Sequence, residues 1–182
     1  MESSTITLSE LSDALIEKRE RLLRALAECG TCAIAFSGGV DSAVVAKAAK
    51  LALGDSAVAV TGTSDALAAG ELESARDLAS QIGIRHVVIP TEEFANSDYV
   101  ANKGDRCYHC KTELYSQLGR LKERLGVNVA VNGANADDLG DYRPGMQAAG
   151  EHGVRSPLAE CGITKQEVRE LAAAWKLSVA DK

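Results

Sequence analysis

An α/β fold, with a doubly wound parallel sheet and helices on both faces, is predicted by three features of this 182-residue chain. Short apolar runs alternate with helical stretches along its whole length. A glycine-rich turn, Ser37 to Ser42, joins the first of these runs to a helix, where sheets of this kind bind ligands. The composition, 46% hydrophobic and 25% charged with 16 glycines and 3 prolines, supplies a real core without disulfide or metal staples and excludes disordered or collagen-like chains.

The elements follow in order. Thr7 and Glu10 have capping-box spacing, and Leu8, Leu11, Leu15, Leu22 and Leu26 recur at helical intervals, predicting one helix that stops near Gly30. Cys32 to Phe36 reads as a buried strand. An alanine-rich helix is expected from about Ser42 to Leu53, a second strand at Ala57 to Thr61, and a helix from Ala69 to Ile82. His86 to Ile89 reads as a third strand, Cys110 to Leu125 as a helix with Leu114, Leu118, Leu121 and Leu125 on one face, and Val127 to Val131 as a fourth strand. A long Gly/Asp-rich segment runs from Asn132 to Gly153, with a short fifth strand expected at Val154 to Leu158. Thr164 and Glu167 form a second capping box, opening a helix that runs to about Trp175. Residues 1–182 read as one domain.

Charge and targeting narrow the function. Twenty basic against 26 acidic residues give a net charge of −6, which argues against a nucleic-acid binder with its basic stripe. No apolar run approaches the length of a membrane helix. The polar N-terminus lacks a signal-peptide pattern, so a cytoplasmic location is expected, with the five cysteines reduced. Homo-oligomerisation is left open.

Ser37-Gly38-Gly39-Val40-Asp41-Ser42 carries the most information. Two glycines let the backbone approach an anion, and the helix that follows offers free N–H groups and a positive dipole end. Ser37 and Ser42 add hydroxyl donors, while Asp41 is placed to hold magnesium or cap the helix. The spacing is neither the Walker loop nor the dinucleotide fingerprint. Lacking the Walker lysine, it suits a pyrophosphate that departs whole.

The six residues resemble the SGGxDS signature of the PP-loop ATP pyrophosphatase superfamily. Further motifs narrow the resemblance to the LarE group, ATP-dependent sulfur transferases that build the nickel-pincer nucleotide of lactate racemase. They are Asn102 with Arg106-Cys107-Tyr108-His109-Cys110-Lys111, Asn132 to Asp138 with Asp141-Tyr142-Arg143-Pro144-Gly145, Arg155-Ser156-Pro157-Leu158, and Thr164-Lys165 with Arg169. The resemblance implies an adenine nucleotide alpha hydrolase-like, Rossmann-like fold. It also implies ATP and Mg2+ as cofactors and adenylation of a carboxylate on a pyridinium dicarboxylate mononucleotide, a small-molecule nucleotide. Pyrophosphate leaves, and sulfur from cysteine or an iron–sulfur cluster then displaces AMP. The alternatives are an ammonia-using or tRNA-thiolating PP-loop ligase, or a nucleotide-binding module without catalysis.

Within these motifs Ser37 to Ser42 and Gly133 are expected to bind ATP. Asp137, Asp138 and Asp141 follow the fourth strand, where carboxylates can coordinate magnesium, orient the loop, or form a solvated acidic turn. Lys111, Arg143 and Arg155 are candidate anion contacts, against a reading of the arginines as ordinary surface residues. Cys107 and Cys110 have the spacing of cluster ligands, of redox or nucleophilic thiols, or of inert packing residues. The resemblance makes them two of the three cysteines of the group's [4Fe-4S] version. The third belongs to a PxSPCLxSR motif, and the matching run reaches only Ala180-Asp181-Lys182. A domain lacking the C-terminal sulfur-transfer part is therefore expected. Cys29 and Cys32 read as packing residues, Cys161 stands outside the motif, and neither His86 nor His152 has a metal-binding pattern. His109, between the two thiols, reads as a surface residue or as a tuner of them.

Overall fold

The computed structural model describes residues 7–63, 70–91, 106–140 and 144–181; for Ser9, Arg106, Cys107 and Cys110 the description covers the backbone alone. Asn102, Asp141, Tyr142 and Arg143 lie outside the described residues.

Four parallel strands form the sheet: β1 (Cys32–Ala35), β2 (Ala57–Thr63), β3 (Arg85–Pro90) and β4 (Val129–Val131). Their order is β3-β2-β1-β4. Central β1 pairs Cys32 with Ala57 on one side and with Val129 on the other. All four β1 residues are buried, as expected of a strand covered on both faces. Alternation then sorts its side chains. Cys32 and Ile34 face one core, while Ala33 and Ala35 face the other.

The first core is closed by α1 (Asp13–Ala27), α2 (Val40–Leu53), α3 (Glu71–Ile82), the short α6 (Pro157–Glu160) and α7 (Lys165–Ala174). Helix α2 lies innermost. Its Ala43, Ala46, Ala48 and Ala49 are fully buried, and such small side chains let α1 and α7 pack closely on it. The second core is closed by α4 (Arg106–Leu125) and α5 (Pro144–Glu151), through Tyr115, Leu118, Ala148 and Ala149. Helices on both faces make the sheet doubly wound. Its strand order reverses between β1 and β4, so the loops leaving those strands flank the crevice where ligands bind in such sheets.

Four sequence expectations are corrected. The Thr7–Glu10 box closes only a 3-10 turn, Leu8–Glu10. Leu11 is extended, and Ser12 caps α1 instead, its Oγ accepting from the Leu15 amide at 3.2 Å. The fifth strand is absent among the described residues. Arg155 makes a single parallel bridge to Val131, and Pro157, which has no N–H to extend a ladder, starts α6. The Gly/Asp-rich segment contains α5, whose Ala148 and Ala149 supply a small buried face. The fourth strand begins at Val129 rather than Val127, because the Val127 amide is held by the Lys122 carbonyl at the end of α4.

Candidate functional site

The loop after β1 is shaped by its own side chains. The Ser42 hydroxyl donates to the Gly39 carbonyl at 3.0 Å and lies 3.2 Å from the Ser37 hydroxyl. The Ser37 amide donates to Ser42 Oγ, and the Gly39 amide to Ser37 Oγ, each at 3.3 Å. Gly38 has φ +80, and a Cβ there would meet Ala75 at 3.3 Å. Gly39 is the N-cap of α2 and has no side chain to cap it. The first-turn amides of α2 therefore face the crevice with the dipole behind them.

The turn after β4 docks directly on this helix end. A Cβ on Gly133 would lie 2.8 Å from the Ser42 nitrogen and 3.0 Å from the Asp41 carbonyl carbon. Only glycine permits that approach. Two carboxamides hold the turn. Asn132 is buried; its Oδ1 accepts from the Ala134 amide at 3.0 Å and the Ser156 hydroxyl at 2.9 Å, and its Nδ2 donates to the Tyr115 hydroxyl at 3.3 Å. Asn135 donates from Nδ2 to Asp41 Oδ1 at 3.0 Å and accepts from the Asp137 amide, also at 3.0 Å. Its own amide donates to Asp138 Oδ2 at 2.9 Å.

Asp41 is the hub. Its second oxygen accepts from the Lys165 ammonium, and the Lys165 amide in turn donates to Asp137 Oδ2 at 2.8 Å. Asp41 stands in the first turn of α2, where a carboxylate suits the dipole. It does not cap that helix, which begins on Gly39.

These elements enclose a cavity of about 240 Å³. Ser37, Asp41, Ser42 and Gly133 line one side; Lys111 and Tyr115 from α4, with Met146 from α5, line the other, and Asp138 borders it. Gly38, Gly39 and Val40 complete the loop behind. The remaining sequence candidates lie elsewhere. Asp137 is engaged by Lys165. Arg155 makes two bonds to the Glu160 carboxylate, at 2.6 and 3.3 Å, and a third contact from Nη1 to Cys29 Sγ at 3.5 Å. Cys107 and Cys110 are the second and fifth residues of α4.

Lys165, Asn132, Asn135, Tyr115 and Met146 were not assigned roles from sequence. The asparagines and the lysine sit inside the quoted motifs, yet only the fold shows that all three converge on one crevice.

Among the described residues no cluster of three or more His, Cys, Asp or Glu is arranged to hold a metal. Both Asp41 oxygens already have donors. A magnesium ion here would take most of its ligands from phosphate and water, with one or two of Asp41 and Asp138 contributing. Cys29, Cys32 and Cys161 are buried in the first core, whereas α4 covers the opposite face. Burial first, with the nearby Cys29, pushes the Cys32 thiol up to about 12. The sheet thus separates these three cysteines from Cys107 and Cys110.

His86 is a structural residue by its geometry. Thr61 Oγ1 donates to the Phe36 carbonyl at 2.7 Å and lies 2.7 Å from His86 Nε2. The threonine has one proton, so His86 Nε2 is the donor in that pair. The ring sits edge-on to Phe36, with centroids 5.6 Å apart. Burial chiefly, and then the Arg76 charge, lower its pKa.

A parallel sheet with an open helix N-terminus at its topological switch, buttressed by carboxamides, defines a nucleotide-binding α/β protein. Residues 10–172 match the family described as asparagine synthase, and the chain belongs to that ATP-using PP-loop pyrophosphatase family. An uncharacterised protein of Synechocystis is 49% identical over 168 residues, covering 92% of this chain and 63% of the relative. The pyridinium-3,5-bisthiocarboxylic acid mononucleotide synthase of Lactiplantibacillus plantarum is 35% identical over 160 residues, covering 87% of this chain and 58% of that protein. The chain thus spans about three fifths of the length of these relatives. The structure of NMN synthetase from Francisella tularensis superposes with a TM-score of 0.71 at 19% identity, covering 92% of this chain and 74% of that one. This likeness shows a shared Rossmann-like adenine nucleotide alpha hydrolase fold.

Proposed function

We propose that this chain is the ATP-binding part of a sulfur transferase that adenylates a carboxylate on a pyridinium dicarboxylate mononucleotide. One observation carries the reading: α4, which bears Cys107 and Cys110, also sends Lys111 and Tyr115 into the cavity beneath the Ser37–Ser42 loop. One helix therefore carries both the thiol pair and a wall of the cavity that faces the phosphate loop. The similarity to the bisthiocarboxylic acid mononucleotide synthase supports the substrate class.

The α2 N-terminus and the Ser37 and Ser42 hydroxyls hold the β- and γ-phosphates as a unit. The acceptor carboxylate attacks the α-phosphorus, the bond to the bridging oxygen breaks, and pyrophosphate leaves with its electron pair. Lys165 stands beside Asp41, where it can neutralise charge developing on that leaving group, a task the loop itself has no lysine for. Lys111 faces the opposite wall, in position for the α-phosphate or the acceptor carboxylate. Magnesium, when bound, would screen the phosphate charge beside Asp41. In the second half, a sulfur nucleophile served by Cys107 or Cys110 attacks the acyl carbon, AMP leaves with the electron pair of its C–O bond, and the sulfur's bond to its carrier then breaks so that the sulfur stays on the acceptor. A [4Fe-4S] cluster, where carried, would take these two thiolates among its ligands; Cys29, Cys32 and Cys161 lie across the sheet from them.

The test is pyrophosphate release from magnesium and ATP with and without the pyridinium dicarboxylate nucleotide, with mass spectrometry of the acceptor for exchange of oxygen by sulfur. Release that depends on the acceptor is expected. ATP binding with no acceptor-dependent release, in a chain extended to its relatives' length, would overturn the reading.

A further inference from the structure

The first turn of a helix is ordinarily its loosest part, because its amides lack intrahelical partners. In α4 that turn is tied down from outside. The Tyr108 hydroxyl, between the two cysteine positions, donates to Glu151 Oε2 at 2.5 Å. Glu151 is the last residue of α5, and its other oxygen accepts from Gln147 Nε2 at 2.9 Å, one turn earlier on the same helix. Both carboxylate oxygens are therefore aimed. The Tyr108 ring packs on the second core and stands edge-on to His109, with centroids 5.4 Å apart.

Register gives the tie its consequence. Tyr108, Lys111 and Tyr115 recur at helical spacing along one side of α4, and Lys111 and Tyr115 line the cavity. Residues 107 and 110 are placed by the same turn. Fixing Tyr108 against α5 sets both the axial position and the rotation of the segment that carries the thiols relative to the cavity. Loss of the tie leaves the rest of α4 anchored by Tyr115 and Leu118, both buried, so only the first turn is released.

We infer that Glu151 is a positioning residue for the sulfur step, holding the Cys107–Cys110 turn in register with the nucleotide cavity through Tyr108. The inference rests on the proposed function for its purpose, and on the Tyr108–Glu151 geometry for its existence.

The test compares Glu151→Ala, Glu151→Gln, Tyr108→Phe and the double variant Tyr108→Phe/Glu151→Ala. The rate of iodoacetamide labelling at Cys107 and at Cys110 is resolved by peptide mass spectrometry, alongside ATP affinity and thermal midpoint. Glu151→Ala and Tyr108→Phe should each shift the Cys107-to-Cys110 labelling ratio roughly fivefold. The double variant should shift it no further, as two ends of one bond must. Glu151→Gln, which still offers an oxygen to the tyrosine, should restore much of the native ratio, and ATP affinity should hold throughout. Native ratios in both single variants, or additive shifts in the double, would overturn the inference. Failure of the proposed function is read separately, as absence of acceptor-dependent pyrophosphate release in the unsubstituted chain. A sulfur-transfer rate unmoved by Glu151→Ala despite a shifted ratio would overturn the positioning role while leaving that function standing.

Discussion

The Lys165 ammonium donates to the Asp41 carboxylate across 124 positions of sequence, joining the start of α7 to the first turn of α2, where Asp41 lines the cavity. The pair is part-exposed, 39% for Lys165 and 25% for Asp41. As a fold-stabilising ion pair it is therefore worth at most about 1 kcal/mol. On the proposed function its larger role is to keep a cation beside the Ser37–Ser42 loop.

Lys165→Met should accordingly change ATP affinity far more than stability. We expect a loss of roughly tenfold in affinity, the scale of one charge-assisted hydrogen bond, with the thermal midpoint nearly unchanged. Calorimetric titration beside a melting curve checks both. A large fall in midpoint with affinity preserved would assign Lys165 to the fold instead.

Gly133→Ala places a methyl 2.8 Å from the Ser42 nitrogen. The obstructing atoms are backbone at a helix start, so they cannot swing aside as a side chain could. A cost of about 1–3 kcal/mol and an ATP affinity weakened beyond that of Lys165→Met are expected. Chemical denaturation and the same titration measure these. Gly140→Ala, where an added Cβ meets nothing within 4 Å, serves as the control.

The three core cysteines should be inert in the folded protein. Cys32 is fully buried, with its thiol pushed up to about 12. Burial raises the Cys161 thiol too, outweighing the opposing charge of Arg21. Native-state alkylation should leave positions 29, 32 and 161 unlabelled, and denaturant should open all three. Labelling of Cys32 in the native chain at its unfolded-state rate would contradict the packing described.

His86 predicts an acid dependence with a definite sign. Its folded-state pKa is depressed, so on acidification the unfolded chain takes up the proton first. The stabilisation is complete above the ordinary value of 6.5 and is lost as pH falls through the folded-state value. The thermal midpoint should therefore drop between neutrality and about pH 5, and His86→Gln should flatten part of that fall. An unchanged slope in the variant would assign the dependence to other groups.

Much of this was legible in the linear order of residues, for stated reasons. The buried run at Cys32, the alanine-rich stretch after Ser42 and the box at Thr164 each produce the element expected, because burial on both faces, small side chains and capping act locally. The failures share a cause as well. Thr7 and Glu10 do form their box, but Ser12 offers a second cap three residues before Leu15, and Leu11 is taken into the core. Val154 to Leu158 is apolar enough for a strand, yet Pro157 ends the pairing after one bridge. In both places a competing local signal won once tertiary contacts could choose between them.

The site divides along the same line. Sequence alone determined the family, through the six residues from Ser37 to Ser42, and the glycine-rich turn that leads from β1 into α2. Sequence also determined that Cys107 and Cys110 belong to one short segment. Only the tertiary structure decided that Lys165 and Asn135 meet at Asp41 and that three cysteines lie across the sheet from the other two. Those outcomes depend on strand order and on which helix covers which face. They are set by packing between residues far apart in the chain, which no local spacing encodes.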